Sequence, residues 1–451
     1  MRLQVLPLAL LSLAILPLAS PAQLKEIFKW KEVDFSYPTL EDRHAAVHSG
    51  IYNEDNALPL GVEVYNSRVF ITLPRWKRGV PATLTHVQRP ANFDGPATSP
   101  RLNPYPNWEW NKENSGCDAF TSVFRVWADT CGRLWVIDAG KENVVVEPKQ
   151  ICPPQILVFD LRNDTLLRRY RLTETDMKSN SFFTNIHVDV RNDANGRPMC
   201  EDAFAYVPDV WGFGVVVYSL RDNRSWRVDH EFFHPDPLFC KYTVGEHTFR
   251  WLDGIFSVAL GPVDSTNNDR YLYFHSMSSS REFRVPASVM QNETASKEHP
   301  EKFEALASRG SNGHSSASAM DKNGILFYNL VTRDAVGCWN SKFPYRKPYF
   351  GEVDHNPETL QFPNDLKVDQ GGLDGWPVSR KMLKTPCKQS VWVLSNRLQA
   401  FLYGKLDKND YNFRVLAIPV EEAIQNNACH PDYTPEIDDL PPRIACEDDF
   451  S

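Results

Sequence analysis

The feature of this sequence that most restricts its fold is a unit of about 60 residues that recurs six times. Each copy contains an apolar strand, a polar turn rich in Asn, Asp or Gly, and a second apolar or aromatic strand. The copies begin near residues 60, 122, 185, 254, 316 and 364. Such units bury their sheet faces against their neighbours when they are arranged in a ring. The period therefore predicts an all-β chain that forms a six-bladed β-propeller closed around a central channel.

The alternatives to six blades are seven blades and a pair of β-sandwiches. The sandwich pair gives no reason for a period near 60 residues, and it would leave sheet edges exposed. Residues 28–37 and 411–419 are candidates for a pair of strands that closes the ring. Six blades are therefore the favoured arrangement.

The outer strands repeat as well, and they indicate where the surface lies. Residues 156–172 and 215–230 align at an offset of 59, and each segment places a glycosylation sequon at a predicted hairpin tip. These sequons begin at Asn163 and Asn223, and a third begins at Asn292. Because a glycan is tolerated sterically at an outer turn, the three asparagines are predicted N-glycosylation sites.

The ends of the chain differ in composition from the repeats. Residues 1–22 combine one basic residue, an apolar core and small residues near the end, which predicts a signal peptide and a secreted, extracellular protein. The alternative is a membrane anchor, but the core is short for a span and no second apolar stretch follows. Residues 23–430 are predicted to form the propeller, and residues 431–451 an acidic, Pro-rich tail.

Charge and cysteine usage exclude several classes of function. The net charge is −8 and no basic face is evident, so we expect no binding to nucleic acid. Nine cysteines in an exported chain predict disulfides, with one thiol left over if the rest pair. The pairs that would tie neighbouring blades are Cys117–Cys200 and Cys338–Cys429, with Cys131–Cys152 as a rival pairing. No CxxC or Cys/His cluster is present, so no metal site is predicted.

An ordered series of short motifs resembles the insect Yellow / major royal jelly protein family. The matching segments are 28–35, 59–62, 70–76, 122–125, 131–136, 152–154, 209–214, 253–256 and 394–397. The resemblance covers residues 28 to 430 and implies a secreted six-bladed propeller, with roles in cuticle colour and melanin formation. Some members of this family convert dopachrome, others bind biogenic amines, and others have no known catalysis. The compact length of the chain favours the dopachrome-converting branch.

This resemblance implies a reaction as well as a fold. The predicted activity is an L-dopachrome isomerase that forms a 5,6-dihydroxyindole, with or without loss of the carboxylate, and needs no cofactor. The expected partner is a small aromatic ligand of the catechol or indole type. The alternatives are a propeller that binds biogenic amines without turnover and a structural pigmentation protein of the cuticle. The sequence contains no GxSxG elbow, HExxH motif, P-loop or dinucleotide fingerprint that would favour another chemistry.

The site is expected where the inner strands meet the channel, because ligands of propellers enter at one end of it. His187 and His314 are the candidate bases, since the pKa of imidazole lies near neutrality. The residues expected to hold the substrate are Asn185, Trp251, Asp253, Phe362, Asn364 and Asp365. Glu63 is expected either to face the ligand or to pair with Arg125 of the next blade.

Each candidate also has a structural interpretation. His187 can be a hydrogen-bonded strand histidine, and His314 a loop residue. Asn364 and Asp365 can simply begin a strand, while Trp251 and Asp253 can be a core ring and a turn former. Strand phase decides between these interpretations, because a shift of one residue turns a side chain to the opposite face.

Overall fold

The computed structural model describes residues 23–90, 95–113, 115–370 and 388–435. The predicted signal peptide and residues 436–451 of the predicted tail lie outside the described residues. Six sheets surround a common axis, and the inner strands of successive blades lie side by side. The six-bladed β-propeller is therefore confirmed. In the described parts of the chain, no helix is long and apolar enough to cross a bilayer.

The first three blades are four-stranded antiparallel meanders that run outward from the axis. Blade 1 consists of Gly61–Tyr65, Arg68–Thr72, Leu84–Gln88 and Asn103–Pro104. Blade 2 consists of Val123–Ala128, Arg133–Asp138, Gln155–Asp160 and Thr165–Arg171. Blade 3 consists of His187–Asp189, Phe204–Asp209, Gly214–Ser219 and Arg224–Asp229.

Blades 4 and 5 follow the same plan, and blade 6 has a fifth strand. Blade 4 consists of Ile255–Leu260, Tyr271–Ser276, Arg281–Pro286 and Glu304–Ser308. Blade 5 consists of Ser318–Met320, Ile325–Leu330, Ala335–Asn340 and Phe350–His355. Blade 6 consists of Pro363–Val368, Ser390–Ser395, Phe413–Pro419, Lys25–Trp30 and Ala97–Thr98.

Short elements connect the blades. The α-helices are Leu40–His48, Trp108–Asn111, Ala287–Met290, Glu293–Glu298, Leu398–Tyr403 and Val420–Ile424. The 3-10 helices are Glu54–Asn56, Glu174–Asp176, Cys200–Asp202, Glu231–Phe233, Pro237–Phe239 and Pro300–Lys302. Two extra hairpins pair Lys141–Glu142 with Lys149–Gln150, and Lys241–Val244 with His247–Arg250.

Two strands from opposite ends of the sequence close the ring. Lys25–Trp30 pairs antiparallel with Phe413–Pro419, with Phe28 opposite Val415 and Trp30 opposite Phe413. Blade 6 therefore contains both the first and the last strand of the chain, and the predicted closing pair is confirmed. This pairing removes the open edge that six separate sheets would leave.

Strands near the axis are buried along their length because neighbouring blades cover both faces. Every residue of Arg133–Asp138 and of Gly214–Ser219 is buried, whereas no residue of the outer strand Thr165–Arg171 is. Such strands are continuous apolar runs instead of alternating ones. This is why the six repeats are visible in the sequence.

An aspartate directly after the inner strand fixes the first turn in several blades. In blade 2, Asp129 Oδ1 accepts hydrogen bonds from the backbone N–H groups of Cys131 and Arg133, at 2.9 and 3.0 Å. Its Oδ2 accepts from Trp135 Nε1 at 2.7 Å. In blade 5, Asp321 Oδ1 accepts in the same way from the backbone of Asn323 and Ile325. These carboxylates therefore already accept hydrogen bonds from the backbone of their own turns.

In the described part of the chain, three disulfides link neighbouring segments, and one of them starts inside the blade 5 strand Ala335–Asn340. They are Cys117–Cys152, Cys131–Cys200 and Cys338–Cys429, and Cys240 is a buried free thiol. The prediction of Cys338–Cys429 is confirmed.

The predictions of Cys117–Cys200 and of Cys131–Cys152 are wrong. Cys117 precedes the inner strand of blade 2, whereas Cys131 follows that strand at its other end. A six-residue strand spans about 20 Å, and the Cα atoms of a disulfide lie only about 6 Å apart. Cysteines at opposite ends of the strands therefore cannot be joined.

Candidate functional site

A pocket of about 450 Å³ opens at the end of the axis where the six inner strands begin. Its floor contains one residue from the start of each blade: Leu60, Phe124, Thr184, Phe256, Ser316 and Asn364. Its walls come from the loops beyond the strand ends and are rich in large rings: Trp76, Phe182, Trp211, Trp251 and Tyr403. We call this site the aromatic pocket. Its size and its apolar lining are typical of small-molecule sites in proteins.

A hairpin and a helix form one side of the aromatic pocket. Trp251 follows the hairpin strand His247–Arg250, and its Nε1 donates a hydrogen bond to the hydroxyl of Tyr403 at 2.5 Å. Tyr403 ends the helix Leu398–Tyr403, and its ring stacks on Phe249 at 4.9 Å. Ring-to-ring contacts of this kind join two elements that are far apart in the sequence.

Asp253 supplies the carboxyl group of the aromatic pocket. It is half-buried in the wall, where its Oδ1 accepts a hydrogen bond from Trp211 Nε1 at 3.2 Å. Within the described residues, its Oδ2 has no hydrogen-bond partner. Burial raises the pKa of Asp253 to about 6, and the Trp211 bond opposes this rise. A carboxyl group with such a pKa can exchange a proton near neutral pH.

Asn364 presents a hydrogen-bond donor to the aromatic pocket. Its Oδ1 accepts from Arg125 Nη2 at 3.2 Å, and its backbone carbonyl accepts from the same nitrogen at 2.6 Å. Because a guanidinium group can only donate, this contact assigns the oxygen to the Arg125 side. Among the described residues, the amide Nδ2 of Asn364 has no acceptor, so it can donate to a ligand.

Two cations lie at the edge of the aromatic pocket. Lys77 Nζ lies 3.9 Å from the centroid of the Phe401 ring and donates to the Phe401 carbonyl at 3.3 Å. Burial lowers the pKa of Lys77 from its usual value. Arg250 is exposed and also lines the pocket. These two groups give the rim of the pocket a positive charge.

Arg125 closes the floor of the aromatic pocket. Its side chain is fully buried, reaches the Ser316 carbonyl at 3.2 Å and lies 3.4 Å from the Asp365 carboxylate. Its guanidinium also lies 4.7 Å from the centroid of the Phe256 ring. One side chain of blade 2 thus contacts blades 4, 5 and 6. It separates the aromatic pocket from a second cavity at the far end of the axis.

Glu63 does not form the ion pair with Arg125 that was one of its two expected roles. Its carboxylate accepts from the backbone N–H groups of Val64 at 2.8 Å and Ala128 at 3.2 Å. Burial raises the pKa of Glu63 to about 7, although the nearby Lys367 lowers it. Strand phase explains the difference, because Arg125 points across the axis toward Asp365 instead.

The predicted site residues divide into three groups in the structure. Trp251, Asp253 and Asn364 line the aromatic pocket. Phe362 is buried behind Trp251, with ring centroids 5.9 Å apart, and Asp365 accepts from the Val62 backbone at 2.9 Å beneath the floor. The predicted residues therefore do not surround one ligand.

The remaining predicted residues lie away from the aromatic pocket. Asn185 is buried, and its Nδ2 donates to the Phe256 carbonyl at 3.2 Å. His187 lines the cavity at the opposite end of the axis, where burial first, and then Lys367 and Arg270, hold its pKa well below the usual value.

His314 lies beneath the extra hairpin at the pocket wall. Its Nε2 donates to the Phe239 carbonyl at 2.8 Å, and its ring lies 4.3 Å from that of Tyr242. Burial lowers the pKa of His314. A neutral, hydrogen-bonded imidazole in this place supports the hairpin.

The three predicted glycosylation sites are exposed. Asn163 and Asn223 lie in the turns between the third and outer strands of blades 2 and 3, and Asn292 caps the helix Glu293–Glu298. The similar placement of the first two follows from the repeat.

Lys77, Trp211 and Tyr403 line the aromatic pocket but were absent from the predicted set. They lie in connecting segments, where the repeat does not indicate which side chains converge. A signal existed for Trp211, because it follows directly on the strand Phe204–Asp209.

Residues 121–429 match the family model described as Major royal jelly protein. The chain belongs to the major royal jelly protein family. Among its relatives, the dopaminechrome tautomerase of Drosophila melanogaster is 41% identical over 424 residues, which cover 92% of this chain and 86% of that protein. Protein yellow of the same species is 38% identical over 409 residues, which cover 90% of this chain and 71% of that protein.

A distant likeness to a solved structure accompanies these matches. A luciferin-regenerating enzyme is 11% identical, with a TM-score of 0.41 over 80% of this chain and 91% of that chain.

In this major royal jelly protein, the pocket combines three chemical abilities. Aromatic walls can hold a flat ring, the Asp253 carboxyl can accept a proton, and Asn364 with Lys77 can hold an oxygen that becomes negative. These abilities suit proton transfer on an aromatic or quinoid ligand.

Proposed function

We propose that this protein is a tautomerase that converts an indoline quinone of the dopachrome or dopaminechrome type into a 5,6-dihydroxyindole. The observation that carries the proposal is the Asp253 carboxyl, whose pKa is about 6, among rings that can hold a bicyclic ligand. The relative that is 41% identical is a dopaminechrome tautomerase by name, which supports the same class of reaction.

The reaction is an isomerisation in which all atoms are retained. Two hydrogens leave the saturated carbons of the five-membered ring as protons, and each quinone oxygen gains one proton. The electrons of the broken C–H bonds make the bicycle aromatic. Since no other molecule is oxidised or reduced, the site needs only a base at carbon and donors at oxygen.

The pocket residues can be assigned to these tasks. Ionised Asp253 removes the proton from carbon, while Asn364 Nδ2 donates to a quinone oxygen. The Lys77 ammonium stabilises the negative charge that develops on oxygen. Trp211 and Trp251 hold the ring plane close to the carboxylate.

The proposal is tested with the full-length recombinant protein and two freshly oxidised substrates, dopaminechrome and L-dopachrome. We expect the visible absorbance of at least one quinone to disappear faster with native protein than with heat-denatured protein. The product is identified by chromatography as a dihydroxyindole. Equal rates with native and denatured protein for both quinones would overturn the proposal.

The second candidate is a carrier of protonated biogenic amines. Asp253 among aromatic rings is also the arrangement that recognises an ammonium group. Isothermal titration with dopamine and serotonin separates the candidates. Saturable binding of the amines without any conversion of the quinones would favour the carrier.

Export and glycosylation belong to the same proposal. Three disulfides persist in oxidising compartments, which is consistent with action outside the cell in pigment formation. Treatment of the secreted protein with a glycosidase should lower its mass by the glycans at Asn163, Asn223 and Asn292. A protein that stays inside expressing insect cells would contradict export.

A further inference from the structure

A second cavity, of about 360 Å³, lies at the end of the axis opposite the aromatic pocket. It is lined by residues near the ends of the inner strands: Trp127, His187, Leu260, Met320 and Val368. Arg270 and Lys322 lie at its margin. We call it the distal compartment. The buried Arg125 side chain lies between the two cavities, so their ligands would not meet.

Lys367 lies at the floor of the distal compartment, near two carboxyl groups, Asp365 and Glu63. Asp365 is shared by two cations, Arg125 at 3.4 Å and Lys367 at 3.8 Å. The Lys367 side chain is only 4% exposed, and among the described residues its Nζ has no hydrogen-bond acceptor. A buried ammonium group without an acceptor is costly unless a ligand supplies one.

The margin of the distal compartment contains a second donor without an acceptor. Asp189 pairs with Arg270 at 3.0 Å and also with Arg191 at 3.2 Å. The Nε of Arg270 is buried and lacks an acceptor within the described part of the chain. Arg270 therefore has a donor that is not used by the protein.

Two carboxylates line the wall of the distal compartment and already accept hydrogen bonds. Asp129 and Asp321 each accept two backbone N–H groups of their own turns. Carboxylates held in this way are already compensated. Both residues line the cavity, but these oxygens are already engaged by the turns.

Lys367 and Arg270 converge on one aromatic surface. Lys367 Nζ lies 5.3 Å from the centroid of the Trp127 ring, and the His187 ring lies 3.7 Å from the same ring. Both cations lie near enough to His187 to lower its pKa, after burial, so this imidazole is neutral. The cavity thus combines two cationic donors with a flat aromatic wall.

We propose that the distal compartment is a second ligand site, which binds a small oxyanion through Lys367 and Arg270. The oxyanion is a carboxylate, a sulfate or a phosphate, and a ring attached to it would lie against Trp127. Two donors from different blades, held in a low-dielectric channel, bind an anion more strongly than surface lysines do. Binding there is independent of the aromatic pocket.

The test is isothermal titration of the full-length protein with sodium sulfate and with sodium benzoate at constant ionic strength. The variants are Lys367→Met and Arg270→Met, and the matched control is Lys112→Met, which removes the same charge at an exposed position. Thermal unfolding of each variant shows whether it is folded. A further variant, Asp253→Asn, changes the aromatic pocket and leaves the distal compartment intact.

We expect saturable binding of at least one anion, about 10-fold weaker in either cavity variant because one charge-assisted bond is lost. Lys112→Met and Asp253→Asn should bind as the wild type does. Sulfate binding alone would define an inorganic site, and benzoate binding alone a site for aromatic carboxylates. The proposal would be overturned if neither anion bound saturably. It would also be overturned if both folded cavity variants bound the anion with wild-type affinity.

Discussion

Burial sets the ionisation of two carboxyl groups in the central channel. Asp253 lies in the aromatic pocket with a pKa of about 6, and Glu63 lies below the floor with a pKa of about 7. Both values are raised for the same reason, because a charged carboxylate loses hydration inside the channel. Glu63 is fully engaged by backbone N–H groups, whereas Asp253 retains a free oxygen. Only Asp253 is therefore available to a ligand.

Replacement of Asp253 by Asn should abolish the proposed catalysis. The amide cannot take a proton from carbon, so we expect kcat for the quinone to fall by about 100-fold or more. The wild-type rate should rise with pH through about 6 as Asp253 ionises. The control is Glu246→Gln, an exposed acid on the same hairpin. A variant that keeps both the rate and the pH profile would contradict this role.

Glu63 should make the protein less stable as pH rises. Its pKa is about 7 in the folded state and 4.5 for a solvated glutamate, so the folded state retains a proton that the unfolded state loses between these values. Stability then falls by up to about 1.4 kcal/mol per pH unit in this window and is constant above it. Urea midpoints at pH 5 and pH 8 measure the effect.

The Glu63→Gln variant should show a smaller fall between pH 5 and pH 8 than the wild type. Asp253 has a pKa raised in the same direction, so a double variant with Asp253→Asn should show the smallest fall of all. Identical pH dependence in wild type and Glu63→Gln would refute the assignment.

At the level of elements, the repeat predicts the strands well and the pocket walls poorly. The second and third strands form continuous apolar runs because neighbouring blades cover them on both faces, and this signal is local. The hairpin that ends at Arg250 and the helix Leu398–Tyr403 come together through Trp251 and Tyr403, 152 positions apart. Nothing in either segment alone indicates that contact. The sequence around His314 likewise gives its neighbours along the chain, but not how deeply the side chain is buried.

His314 should position the hairpin instead of reacting with the ligand. His314→Leu removes the hydrogen bond to Phe239, which is worth about 1 kcal/mol, so KM for the quinone should rise about 5-fold. We expect kcat to change little, and limited proteolysis should cut the hairpin faster. His187→Gln, on the other side of Arg125, is the comparison and should leave kcat/KM near the wild-type value. A large loss of kcat in His314→Leu with unchanged KM would contradict a positioning role.

For the whole molecule, the number of blades could be predicted from the sequence, but the side chains that fill the central channel could not. The period of the repeats fixes how many sheets must share an axis. Which side chain crosses that axis depends on the position of each inner strand relative to the next. Arg125 is the side chain that does so, and it reaches three other blades. The disulfides show the same limit, because spacing does not reveal which end of a strand a cysteine occupies.

The disulfide Cys338–Cys429 should stabilise the molecule more than Cys117–Cys152 does. The two bonds join cysteines 91 and 35 positions apart. In the chain-entropy description, their contributions are about 4–5 and about 3–4 kcal/mol, a difference of about 1 kcal/mol. Double Cys→Ser variants compared by thermal unfolding measure this difference. A larger loss from the shorter loop would contradict the entropic explanation.

The shared sheet of Lys25–Trp30 and Phe413–Pro419 has a consequence for biosynthesis. A nascent chain that has completed five blades still lacks the partner of its earliest strand. That segment must wait for its antiparallel partner until the last part of the polypeptide leaves the ribosome. A premature stop codon shortly before residue 413 would therefore yield five blades, an incomplete sixth blade and no closed architecture.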